Sequence, residues 1–95
     1  MIKVDGLNNE SLVLDGEWLE KLRAGEPKAK LPASSFKQAD VQEIDRRKKL
    51  FGGEKEHLIQ VTLTFEQPPF IGFTVPEEKR EQLQALLAGL EAARA

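Results

Sequence analysis

One histidine, His57, and no cysteine make up the soft-ligand inventory of this 95-residue chain. A zinc centre draws on several imidazoles and thiolates together, so no recognisable zinc set can be assembled. His57 opens the most regular apolar and polar alternation of the sequence and reads as a structural or surface residue. Nucleophilic chemistry finds no better support. Ser11, Ser34 and Ser35 lie outside any G-x-S-x-G context, and a serine hydroxyl attacks only when a positioned base takes its proton. Ser34 and Ser35 suit a capping role in the turn before Phe36. Glu17, Glu20 and Glu26 are scattered rather than paired as general acid and base. Gly52-Gly53 lacks the fixed glycine pattern and the following Lys-Ser or Lys-Thr of a phosphate-cradling loop, and reads as a turn. These residues predict a chain that is not an enzyme and holds no cofactor or metal.

Two surface features point instead to binding. Arg46, Arg47, Lys48 and Lys49 run directly into Leu50 and Phe51. Four cations beside an apolar pair can press on anionic lipid, at about 1 kcal/mol per basic residue near a charged membrane, or on an acidic partner. The plainer reading is a solvated hairpin loop with Phe51 folded back and Glu54 and Glu56 offsetting the charge. The second feature is the small-residue series Ala85, Ala88, Gly89 and Ala92, which would let another backbone approach closely and offers a helix interaction face for self-association.

Composition narrows the classes. Apolar residues form 40% and charged residues 32% of the chain, with a net charge of -2, ordinary values for a globular protein and no long-range pull towards nucleic acid. The length suits one hydrophobic core, so residues 1–95 are expected to form a single domain. Met1 to Leu7 has neither the basic start nor the apolar run of a secretion signal, and no segment approaches the roughly 20 apolar residues that span a bilayer. A cytoplasmic location is the expectation.

The elements that would carry these residues are mostly strands. Ile2 to Asp5 and Ser11 to Leu14 alternate apolar and polar before Asp15-Gly16, a dipeptide suited to a tight hairpin turn. Glu17 to Arg23 is read as the returning strand, although Trp18, Leu19 and Leu22 would also fit one side of a short helix. Ala24 to Lys30 contains Gly and Pro without a large apolar side chain and predicts an exposed connection. Leu31 to Phe36 predicts a strand end and a turn of helix, Pro32 barring a central sheet position. Ala39 to Lys48 predicts a strand, bulged because Val41 and Ile44 fall out of period. Leu58 to Phe65 alternates best, with Ile59, Val61, Leu63 and Phe65 on one face, and Gln67-Pro68-Pro69 turns it into a strand bearing Ile71, Phe73 and Val75. Thr74-Val75-Pro76-Glu77 has capping-box spacing and predicts a helix start. Leu83, Leu86, Leu87 and Leu90 then recur at steps of three and four, so a helix over about 75–94 must lay its leucine stripe on the sheet.

This order resembles the pleckstrin-homology-like fold. The features that carry the resemblance are Gly6-Leu7 leading into Leu12-Val13-Leu14-Asp15-Gly16-Glu17, Lys30-Leu31-Pro32-Ala33-Ser34-Ser35-Phe36 followed by Val41, the long strand after Gly52-Gly53, and the Phe73 strand entering a leucine-rich helix. Together they span nearly the whole chain, which is similar to small bacterial members of that superfamily, including domains of unknown function in actinobacterial proteins. The resemblance implies a mainly β (α+β) fold, a rolled antiparallel barrel or sandwich of about six or seven strands capped by one C-terminal helix. It also implies a scaffold for docking a protein or peptide rather than for catalysis. Asp15-Gly16-Glu17 is acidic where members that hold lipid headgroups tend to be basic, which favours a protein partner over a membrane surface.

Overall fold

The computed structural model describes residues 1–47, 55–68 and 70–94. Seven strands form two antiparallel sheets: β1 (Ile2–Asp5), β2 (Glu10–Asp15), β3 (Trp18–Arg23) and β4 (Glu26–Pro32) in the order β1-β2-β3-β4, then β5 (Phe36–Arg47), β6 (Lys55–Phe65) and β7 (Ile71–Pro76) in the order β5-β6-β7. A 3₁₀ turn at Ala33–Ser35 joins the sheets, and a second at Glu77–Lys79 leads into the helix α1 (Arg80–Arg94). No described helix is long and apolar enough to cross a membrane.

The first sheet is built on local turn chemistry. Asp15 pairs with Trp18 across the Gly16-Glu17 turn, and Gly16 takes φ +61°. Arg23 pairs with Glu26 across Ala24-Gly25, both at positive φ (51° and 81°), which is the geometry whose twist matches flanking strands. The segment expected as an exposed connection is therefore β4. Its Pro27 is tolerated because β4 lies at the sheet edge, where a missing N–H breaks no interior ladder, and the register shifts between Lys21 and Leu22 to absorb an extra residue.

The second sheet follows apolar alternation. Ile59, Val61, Leu63 and Phe65 are buried on one face of β6, with Ile71, Phe73 and Val75 beside them on β7. The predicted bulge at Val41 and Ile44 is absent: these residues point to opposite faces, in register with Val61 and Leu58. The irregularity falls at the strand's beginning, between Phe36 and Gln38. Phe36 meets Phe65 edge-on at 5.8 Å between ring centres.

Helix α1 packs across β1, the Ala33–Ser35 turn and β5, burying Leu83, Leu86 and Leu90 against Val4, Leu12, Leu14, Val61 and Phe73 in one shared core. The two sheets do not close into a barrel. The 3₁₀ turn interrupts the ladder between β4 and β5, and the described contacts between the sheets are isolated. One is the Leu7 amide donating to the Thr74 carbonyl at 2.9 Å. Gly6 permits that approach, because a Cβ there would stand 2.5 Å from the Thr74 carbonyl oxygen and 2.6 Å from the Phe73 ring.

The expected capping box does not form. Thr74 remains in β7, paired with Gln60, and the residue before the Glu77–Lys79 turn, Pro76, makes no side-chain cap. A strand residue in extended conformation cannot also serve as the cap three positions ahead. The helix entry is instead held by Arg80 and Glu77, whose side chains pair at 2.7 Å.

Candidate functional site

Among the described residues, a dense group of ionisable side chains lies where the long β5–β6 hairpin passes the first turn of α1. Antiparallel pairing sets Asp45 opposite His57 and Glu43 opposite Ile59, and residues two apart on β5 share a face. Both ring nitrogens of His57 therefore meet carboxylates: Nδ1 lies 2.6 Å from Asp45 Oδ1 and Nε2 lies 3.1 Å from Glu43 Oε1. A neutral imidazole has one N–H to donate, so this arrangement is satisfied by the imidazolium. Glu77 adds a third carboxylate 3.6 Å from Nε2. Arg80 donates from Nε and Nη2 to Glu77, both at 2.7 Å, and from Nη2 to Glu43.

Electrostatics follow from this geometry. The hydrogen bonds His57 donates to Glu43 and then to Asp45 raise its pKa above its ordinary 6.5. The bond from His57, followed by that from Arg80, lowers Glu43, and Arg80 lowers Glu77. Glu43, His57 and Glu77 bring one ligand-type atom each within 4.8 Å of one another. The guanidinium already occupies oxygens of both glutamates, however, and a cation entering between them would have to displace it. The set fits an ion-pair clasp between hairpin and helix better than a metal centre. Glu43, Asp45, His57 and Glu77 are exposed and Arg80 is half-buried.

Beside the clasp, α1 runs along β5 in the opposite sense. Arg80 bonds Glu43 near one end, and Arg94 donates to the Lys37 carbonyl near the other while its guanidinium stands 5.5 Å from the Phe36 ring. Leu87, roughly two helical turns from either arginine and on the same helix face, is half-buried. Ala39 and Val41 of β5 lie on the core face by their pairing with Leu63 and Val61. Val41 is nonetheless 44% exposed. The result is a short apolar strip along a sheet edge, framed by two arginines.

The residues singled out from the sequence separate. The backbone of Arg46 and Arg47 ends β5, while their side chains, together with Lys48, Lys49, Leu50 and Phe51, lie outside the described residues. Ala85, Ala88 and Ala92 are exposed on α1. Gly89 is turned inward, where a Cβ would stand 2.6 Å from Leu14 Cδ2, so close packing on the first sheet accounts for it. Ser35 Oγ donates to the Pro32 carbonyl at 2.7 Å and secures the 3₁₀ turn. Sequence reading missed the partners of His57. The i,i+2 pair Glu43 and Asp45 and the i,i+3 pair Glu77 and Arg80 were visible locally, but only the register of the hairpin brings them to one imidazole. Comparison with protein-family models, with curated proteins and with solved structures finds no match.

Proposed function

We propose that this chain is a non-enzymatic protein- or peptide-binding module of pleckstrin-homology-like type, and that an extended partner segment docks along the outer edge of β5 beside α1. The observation that carries the reading is the unequal state of the four sheet edges. At β7 the outer edge is covered: Lys21 Nζ donates to the Gly72 carbonyl at 3.1 Å and the Leu7 amide to that of Thr74. β4 is blunted by Pro27, a register shift, Lys28 and Lys30, devices that discourage strand pairing. β1 has four residues and lies against α1. β5 also lies against α1, and Arg94 donates to its Lys37 carbonyl, but it is twelve residues long, pairs with β6 alone among the described residues, and exposes Val41 on its core side. Strand addition supplies affinity through main-chain bonds and selectivity through the flanking apolar strip. Seven strands followed by one terminal helix, in the order that the family resemblance implies, support the same reading.

A phage-displayed peptide library selected on the immobilised full chain tests it. Enriched peptides are expected to shift backbone amide resonances of residues 38–45 and of α1, and to lose binding to a Val41→Glu variant. Peptides that perturb neither segment, or that bind the variant equally, would overturn the proposed edge. Retention on anionic vesicles without any peptide enrichment would favour a membrane surface instead.

A further inference from the structure

Trp18 is the sole tryptophan, and the chain has no tyrosine. It begins β3 with its partners Asp15 and Pro32 on either side and remains 43% exposed, whereas a large aromatic ordinarily gains by burial. Its neighbour Leu19 is fully buried, so the alternation of the strand turns the indole away from the core. There it forms a wall of a cavity of about 460 Å³ lined by Gly16, Glu17, Trp18, Pro32, Ser34 and Ala93. That volume lies within the range of small-ligand and side-chain pockets, roughly 300–1,000 Å³.

Two features of the wall favour positive charge, Glu17 and the end of α1. The indole is already served, since Lys30 Nζ stands 4.9 Å from its ring centre and 3.9 Å from Glu20, so the ring offers an incoming residue apolar surface rather than a free cation site. Glu17, exposed and negatively charged, is one of the lining residues. Ala93 lies in the last turn of α1, and the C-terminal end of a helix carries partial negative charge. The adjacent cation, Arg94, is directed elsewhere, to the Lys37 carbonyl, to Glu91 at 2.7 Å and over Phe36.

We propose that this cavity receives a basic side chain, lysine or arginine, of a partner polypeptide, with its charged head at Glu17 and its aliphatic stem across Trp18 and Pro32. Long basic side chains suit such a site because their methylenes cover apolar surface while the head stays at the polar rim. An anion would meet Glu17 and the negative end of the helix. An apolar side chain would desolvate the carboxylate without a counter-charge. The site is separate from the β5 edge and stands whether or not a strand docks there.

Because Trp18 is the only indole, its emission reports on this cavity alone. A short Gly/Ser peptide with one central arginine is titrated into the full chain, alongside the same peptide with uncharged citrulline and with glutamate. A saturable change in Trp18 emission is expected with arginine, with affinity about tenfold weaker for citrulline, in keeping with a cation held by a carboxylate while its stem lies on the ring. The Glu17→Gln variant, folded by its amide spectrum, should weaken the arginine peptide similarly, while Val41→Glu should leave it unchanged. Shifts of the Ala93 methyl resonance on titration would place the peptide at the cavity. No saturable change with arginine, equal affinity for citrulline, or an unchanged affinity in Glu17→Gln would overturn the proposal.

Discussion

The two sheets solve the problem of strand pairing by different means. β1 to β4 are short and joined by tight connections, two of them two-residue turns with residues at positive φ, so their register is fixed by the chain itself. β5 and β6 form a long ladder from Phe36 with Phe65 to Arg47 with Lys55, and part of it lies beyond the reach of the helix. Along the core face of β5 the series Ala39, Val41, Glu43, Asp45 goes from half-buried to exposed. On β6 the matching series Leu63, Val61, Ile59, His57 changes from apolar to polar one pair later, since Glu43 stands opposite the buried Ile59. The first sheet changes character too: Glu10, Lys21 and Arg23 continue the core side beyond Leu12 and Leu19, and there the charges pair with one another, Glu10 with Lys21 at 3.3 Å and with Arg23 at 3.2 Å.

The helix that covers both sheets offers the severest way to break this contrast. Leu86 is fully buried in the shared core, so Leu86→Ala should lower unfolding free energy by about 2 to 5 kcal/mol in chemical denaturation. An unmoved midpoint would mean that α1 is not the common lid. Next comes the joint between the sheets. At Gly6 an added methyl would meet main chain at Thr74 and the Phe73 ring, so Gly6→Ala should cost about 1 to 3 kcal/mol by overpacking; a neutral result would show that the sheets can part at that corner.

The turn-built sheet can be sharpened rather than broken. Ala24 holds φ 51° with a Cβ, a conformation that asparagine tolerates better, and Ala24→Asn should raise stability by about 0.5 to 1 kcal/mol. The smallest effect belongs to the overrunning hairpin. The contribution of His57, whose folded pKa is raised, is complete below its ordinary 6.5 and is lost as pH rises through the higher folded value. Those of Glu43 and Glu77, whose pKa values are lowered, are present above 4.5 and lost as pH falls through the depressed ones. The thermal midpoint should therefore fall on going from mildly acid to alkaline pH in the native chain and fall less in His57→Gln. Equal slopes would show that His57 contributes no pH-dependent stability.

Much of this architecture was legible in the residues because it is written locally. Alternation over Leu58 to Phe65, the Asp15-Gly16 turn and the leucine spacing each name their element by period or by backbone requirement alone. β4 was missed because Pro27 and the small residues of 24–30 suppress the apolar signal that an edge strand hardly needs. The capping-box spacing misled because Thr74 had a stronger tie, its place in β7, than a helix start could offer. The site was the least legible part. His57 acquires its character from Asp45, Glu43 and, through the latter, Arg80, residues 12, 14 and 23 positions away, and no local pattern encodes which of several registers the hairpin adopts.

The sealed flank of β7 bears on growth as well as on recognition. If β5 takes a strand as proposed, a second copy docked there through its own β5 would leave only the covered β7 side at the ends of the joined sheet, so further copies would find no place to add. Complexes formed there should be finite, one segment for each chain, and concentrated solutions should resist turning fibrous.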